Sequence, residues 1–169
     1  MGSEPKPKAP SKAKRRRKPP EEFVDYIIWI ESWDWSYSLS LNTDRRAVDP
    51  YHEFRHLQIS GRLLHPKGLK TDRVEITLLP SYDLLPSAGK KRQPRCVGSL
   101  DVHDDRIAGL VSIPMDALPP ILQMLMKGHF RIVEMRGARF RYHQALCNSF
   151  RLEMKLDKDD LPVGVELPR

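Results

Sequence analysis

The pattern of apolar and polar residues near the start of the chain is typical of β-strands. Residues 23–31 form a nearly continuous apolar run rich in Ile and aromatic side chains, which suits a strand buried on both faces. Residues 33–41 alternate strictly, with serines and one aspartate opposite an apolar face, and this predicts a half-buried strand after a bend at Glu31 and Ser32. The apolar face carries Trp33, Trp35, Tyr37, Leu39 and Leu41.

The rest of the chain predicts seven more strands and one helix. The strands are predicted over residues 51–64, 74–78, 97–102, 107–113, 130–136, 139–146 and 150–156. The helix is predicted near residues 116–127, with Asp116 as its N-cap and Gly128 just after its end. We therefore expect an all-β protein, an antiparallel sandwich or open barrel of about nine strands with one short helix.

Charge divides the chain near residue 22. Residues 1–22 hold eight Lys and Arg against three Glu, hence a net charge of +5, whereas the whole chain carries +7. These residues include five of the 15 prolines and no aromatic residue, so they are predicted to be disordered. The predicted organisation is a basic tail over residues 1–22, a single β-rich domain over 23–157 and a loose C-terminal arm over 158–169.

The basic tail is the strongest functional signal, although a generic one. Its densest run consists of Lys14, Arg15, Arg16, Arg17 and Lys18. Such a run attracts nucleic acid, anionic lipid or an acidic protein, and the alternative is an extension that only improves solubility. Since neither a secretory signal nor a membrane-spanning segment is recognisable, we expect a soluble cytoplasmic protein without membrane insertion, or a nuclear one in a eukaryotic host.

A second basic feature is predicted on the last three strands, which read as a meander turning at Gly137-Ala138 and at Cys147-Asn148. Arg139 and Arg141 share the outward side of one strand, and Arg151 and Lys155 share that of the next. Pairing across the second turn would join the four side chains into one patch for phosphates or an acidic partner. The alternative is a solvated face whose charges are balanced by neighbouring acids.

Among the aromatic residues, Trp33 is the best candidate for contacting a ligand, because it follows the predicted bend. Stacked aromatic side chains on a strand can bind sugar rings, nucleobases or a peptide. The alternative is that this cluster belongs to the core, with Trp35 and Tyr37 on the apolar face.

Residues that would support catalysis are few. Asp101, His103 and Asp105 are weak metal-ligand candidates, because Asp and His are also common at a hairpin tip. Cys96 and Cys147 lack metal-ligand spacing and are expected to be reduced, and Cys96 near Arg95 is only a weak thiol nucleophile. No catalytic motif is recognisable, so the sequence predicts neither an enzyme nor a cofactor.

The sequence leaves three functions open. The first is a non-catalytic β-sandwich module that binds a protein partner, with the tail adding electrostatic attraction. The second is a nucleic-acid-associated protein that holds phosphates through the tail and the basic sheet face. The third is a small metal-dependent or thiol enzyme. The first is the preferred hypothesis.

Overall fold

A computed structural model describes residues 22–43, 46, 48–81, 84, 95–156 and 161–168. The described part of the chain forms seven strands, most of which have alternating apolar residues, and one short helix. The elements are β1 (Phe23–Leu41), β2 (Tyr51–His65), β3 (Arg73–Ser81), β4 (Gly98–Val102), β5 (Ile107–Pro114), a 3₁₀ turn (Met115–Ala117), α1 (Leu118–Met126), β6 (Ile132–Ala138) and β7 (Gln144–Glu153).

The strands form one closed barrel in the order β1-β2-β3-β5-β4-β7-β6, with β6 returning to β1. Six neighbouring pairs are antiparallel, and β3 and β5 are parallel. The predicted all-β class with one short helix is confirmed. The structure differs from the prediction in that the sheet is closed and contains this one parallel pair, since β5 pairs on one side with β4 and on the other with β3.

Two mergers reduce the nine predicted strands to seven. Residues 23–41 form the single strand β1, and the bend predicted after Glu31 and Ser32 is a bulge, since Ile30 pairs with Gly61 and Ser32 with Ser60. At the other end of the chain, the turn predicted at Cys147-Asn148 does not exist. Both residues lie inside β7, where the register shifts by one residue opposite β6.

The barrel core is built from the inward positions of all seven strands. The bulge in β1 moves its inward face from Tyr26, Ile28 and Ile30 to the odd-numbered positions, where Trp35 lies opposite the buried Leu57. A bulge has this effect because one extra residue reverses the alternation of the side chains. Core residues with 0% exposure are Tyr26, Ile28, Leu57, Ile76, Leu78, Leu100, Val133, Met135 and Cys147.

Helix α1 adds Leu118 and Leu125 to the core. It begins at Leu118, so the N-cap position falls on Ala117 and not on Asp116, which lies in the preceding 3₁₀ turn. The predicted end is confirmed, because Gly128 has a φ of +64° and its N–H donates to the Leu125 carbonyl at 2.8 Å.

The two termini are described only in part. Of the tail predicted over residues 1–22, the structure describes Glu22 alone, so Lys14, Arg15, Arg16, Arg17 and Lys18 lie outside the described residues. Residues 161–168 belong to the predicted C-terminal arm. They lie beside the turn between β2 and β3, where Lys67 Nζ donates to the Gly164 carbonyl at 2.8 Å.

Candidate functional site

The first candidate is a two-stranded ribbon that continues beyond the barrel. β6 pairs with β1 only as far as Trp29, and β3 pairs with β2 only from Leu57 onward. Residues 36–41 of β1 and 51–56 of β2 therefore pair only with each other within the described part, and we call them the projecting ribbon. Residues 32–41 of β1 have no partner strand on their other side among the residues that the structure describes, and we call them the open edge.

One face of the projecting ribbon is exposed and is apolar along β1, while its β2 side carries Arg55 opposite Tyr37 and Glu53 opposite Leu39. It continues the inward face of the barrel, since Trp35 packs against the core opposite Leu57. Farther along the ribbon the apolar side chains no longer have a core to cover them. Their exposed fractions are 51% for Tyr37, 56% for Leu39, 72% for Leu41 and 55% for Tyr51.

This geometry contradicts, for Tyr37, the alternative that the aromatic cluster belongs to the core. Tyr37 pairs with Arg55, and its ring lies 5.8 Å from the Arg55 guanidinium carbon. Alternation identified the apolar face correctly, but it could not show that the barrel ends before this face does. Trp33 is 37% exposed and lies on the open edge, while Trp35 is half-buried against the core.

The basic patch predicted on the meander is divided in two by the structure. Arg139 and Arg141 lie in the connection between β6 and β7, whereas Arg151 lies within β7 and Lys155 follows it. Because Cys147 and Asn148 are part of β7 and not of a turn, no pairing across them brings the two sets together. The prediction of a single patch formed by these four side chains is therefore wrong.

Arg151 and Lys155 belong to a surface of mixed charge. They line a cavity of about 350 Å³ together with three carboxylates, those of Asp25, Glu134 and Glu153. Arg151 Nη1 lies 3.9 Å from Glu134 Oε2. This half of the predicted patch thus corresponds to the alternative of a solvated face with balanced charges.

Arg139 and Arg141 belong instead to a small cavity that we call the arginine pocket. It encloses about 240 Å³ and has no Asp or Glu among its described lining residues. The lining residues are Phe23, Arg95, Ala138, Arg139, Arg141, Gln144, Leu146 and Asn148.

Barrel closure brings these distant residues together. Phe23 begins β1 and pairs with Ala138 at the end of β6, while Cys147 of β7 pairs with Gly98 of β4. Arg95 therefore reaches the neighbourhood of Leu146 and Asn148. The lining residues come from segments up to 125 positions apart in the sequence, so their spacing carries no signal of the pocket.

The metal candidates are engaged in hydrogen bonds and ion pairs at the hairpin between β4 and β5. Asp101 Oδ1 accepts a hydrogen bond from Gln144 Nε2 at 3.0 Å, and Asp105 Oδ2 lies 3.3 Å from Arg106 Nη1. The His103 N–H donates to the Arg106 carbonyl at 2.8 Å, which closes the turn. Among the described residues, no three or more His, Cys, Asp or Glu side chains come together in a group that would hold a metal ion.

Both cysteines are free thiols, with Cys147 buried and Cys96 half-buried. Desolvation, together with the nearby Cys96, raises the pKa of Cys147 to about 12. At neutral pH this thiol is therefore protonated, which makes it a poor nucleophile.

Comparisons with protein-family models, with curated proteins and with solved structures give no match for this chain. The described part contains no helix that is long and apolar enough to cross a membrane. The candidate functional sites are therefore the projecting ribbon and the arginine pocket.

Proposed function

We propose that this protein is a non-catalytic protein-interaction module that binds an extended strand at the open edge of β1. The observation that carries the proposal is the edge itself, which in the described part of the chain is unpaired over ten residues and presents exposed apolar side chains of β1 on one face. The N–H and C=O groups along such an edge are a template for strand addition.

The composition of the open edge supports this function. Proteins usually protect an edge strand with Lys, Pro or a covering segment, because an unprotected edge pairs with other chains. Residues 32–41 contain no Lys, Arg, Pro or Gly, and Asp34 is their only charged residue. An incoming strand thus meets no charged residue of β1 between Trp35 and Leu41, and the charges of Glu53 and Arg55 on the same face lie one strand away, on β2.

The partner strand that fits this edge best is the same edge of a second copy. An antiparallel two-fold pairing centred on Tyr37 places Trp35 opposite Leu39 and Trp33 opposite Leu41, so apolar side chains meet on one face. On the other face Ser36 meets Ser38, and Asp34 meets Ser40 rather than another charge. Cross-strand apolar and aromatic pairs of this kind stabilise a sheet by about 0.2–1 kcal/mol each.

The test is a charge swap at the two-fold centre, measured by sedimentation equilibrium of the full chain over a concentration series. Tyr37→Lys and Tyr37→Glu each place like charges directly opposite each other, so each variant alone should dimerise about tenfold more weakly than the parent. An equimolar mixture of the two should recover dimers, because Lys then faces Glu.

Tyr142→Lys is the matched control, since Tyr142 is fully exposed at a turn outside the open edge. It should dimerise like the parent. A parent that stays monomeric throughout the series, or two Tyr37 variants that dimerise as well as the control, would show that the edge does not bind a second copy.

A further inference from the structure

We propose that the arginine pocket binds a backbone phosphate of single-stranded nucleic acid, with an adjacent base stacking on Phe23. This site is separate from the open edge, and binding there does not depend on strand addition. The charge of the pocket, the rigidity of its connection, its apolar wall and the basic run that precedes Phe23 in the sequence all favour this ligand.

The charge of the pocket is largely uncompensated. Among the described residues, Arg95 and Arg141 form no ion pair, and Arg139 Nη1 lies 3.9 Å from the exposed carboxylate of Glu22. A contact of that length between exposed side chains neutralises little charge. Guanidinium groups bind phosphate oxygens through paired N–H donors, so three of them around one concavity favour a phosphate.

The connection that carries Arg139 and Arg141 is held in place by backbone hydrogen bonds. The N–H of Arg141 donates to the Gln144 carbonyl at 2.8 Å, and the Gln144 N–H donates back at 3.0 Å. The His143 carbonyl also accepts the Val102 N–H of β4 at 2.7 Å. Arginines on a fixed turn lose less conformational entropy when they bind an anion.

The same turn contains an unfavourable backbone conformation. Tyr142 and His143 have φ angles of +51° and +69°, and neither is a glycine. The left-handed region costs a residue with a side chain roughly 1–2 kcal/mol, and such strain is concentrated at functional sites. Here the strained turn sets the direction in which the chain leaves Arg141.

The wall of the pocket favours a nucleotide over a bare anion. Phe23 is 46% exposed and Leu146 is 44% exposed, so apolar surface lies beside the guanidinium groups. Every nucleobase has a π-face that stacks on an aromatic ring, whereas the bases of a duplex are stacked on each other and inaccessible. A single strand can therefore place a phosphate against the arginines and a base against the Phe23 ring.

The strongest basic run of the sequence, residues 14–18, ends five positions before Phe23 along the chain. Its positive charge adds to the attraction of a nucleic-acid strand that binds in the pocket. Electrostatic attraction of this kind is independent of base sequence.

The experiment uses the full chain and fluorescence anisotropy of a labelled oligo(dT) of about 12 nucleotides, with the corresponding duplex as a second probe. Arg95→Ala/Arg141→Ala should weaken binding of the single strand by about tenfold or more. It should also reduce the slope of log K against log salt by about 1 per arginine. Arg62→Ala is the control, since Arg62 is an exposed arginine on β2 paired with Glu31, and it should bind about as well as the parent.

Phe23→Ala separates stacking from charge. It should weaken binding of the single strand by about tenfold while leaving the salt slope unchanged, because a ring is removed and no charge is altered. Inorganic phosphate should compete only at concentrations far above those of the oligonucleotide.

Three results would overturn the proposal. The first is an Arg95→Ala/Arg141→Ala variant that binds like Arg62→Ala, which would leave the tail as the whole binding site. The second is a duplex that binds as tightly as the single strand. The third is competition by inorganic phosphate at oligonucleotide concentrations, which would identify a small phosphate compound as the ligand.

Discussion

Tyr26 shows how one polar atom is accommodated in an apolar core. Its side chain is fully buried, and its hydroxyl donates a hydrogen bond of 2.7 Å to the carbonyl of Ala138 at the end of β6. Its ring meets Phe140 edge-on at 5.3 Å. Tyr26 therefore fixes the end of β6 just before the connection that carries the arginines of the pocket.

Removing this hydroxyl should cost stability at neutral pH. Tyr26→Phe leaves the Ala138 carbonyl without its side-chain donor, so the free energy of unfolding should fall by about 1 kcal/mol. Urea unfolding measures this change. Tyr37→Phe is the matched control, because Tyr37 lies on the same strand with its side chain half exposed, and its unfolding free energy should change little.

The same variant should change the response to alkaline pH. Burial raises the pKa of Tyr26 from 10.0 to about 12, and that of Cys147 from 9.0 to about 12. At a pH between the ordinary and the raised pKa of each group, the unfolded chain has lost the proton that the folded chain still holds on Tyr26 or Cys147. The free energy of unfolding therefore falls as pH rises from about 9 to about 12. Tyr26→Phe should make that fall shallower above about pH 10. A fall as steep as that of the parent would contradict the assignment to Tyr26.

At the scale of elements, β1 depends on a close approach to β2 at the bulge. Gly61 pairs with Ile30, and a Cβ added to Gly61 would overlap the carbonyl oxygen of Trp29. Only a glycine lets the two strands meet there while Glu31 is accommodated as the extra residue. This contact lies where the alternation of β1 changes from one register to the other.

Gly61→Ala should therefore be strongly destabilising. The added methyl group must displace backbone, so we expect a loss of about 2 kcal/mol or more in the free energy of unfolding, measured by urea denaturation. Ser60→Ala is the control at the neighbouring half-buried position and should cost much less. If the two variants lost similar stability, the close approach at Gly61 would not be required.

The sequence predicted β1 more accurately than it predicted the last strands, β6 and β7. The apolar run of residues 23–31 and the period-two alternation of residues 33–41 located the two halves of β1, although the sequence predicted two strands there and the structure has one. On the meander, Gly137 suggested a turn, yet it is a strand residue where β6 approaches β7, and an added Cβ would meet the Leu146 carbonyl. The turn is made instead by Tyr142 and His143, which adopt positive φ angles although neither is a glycine.

For the whole molecule, the open edge and the arginine pocket lie toward opposite ends of the same strand. Phe23 lines the pocket at the start of β1, and Leu41 ends the open edge. Pairing of two open edges would consequently leave both pockets of a dimer unobstructed by the paired strands. The two proposed sites are thus compatible in one assembly.

This arrangement predicts avidity for long single strands. When two pockets bind the same strand, the second binding event is intramolecular and the apparent affinity rises. The parent should therefore bind a long oligo(dT) more tightly than Tyr37→Lys does, while both bind a short one equally, as measured by anisotropy. Equal affinities of the two proteins for the long strand would show that the sites act independently.

The sequence by itself determined the all-β class, the approximate positions of most strands, the short helix, the apolar face of residues 33–41 and the concentration of basic charge in residues 1–22. These features depend on periodicity and composition, which are local properties of the chain. Only the tertiary structure decided where the barrel ends, so that Tyr37 is exposed although it continues a core face. It also separated Arg139 and Arg141 from Arg151 and Lys155. Barrel closure brought Phe23 and Arg95 into the same pocket as Arg139 and Arg141. Strand pairing between distant segments sets these contacts, and spacing along a single chain does not encode which strands become neighbours.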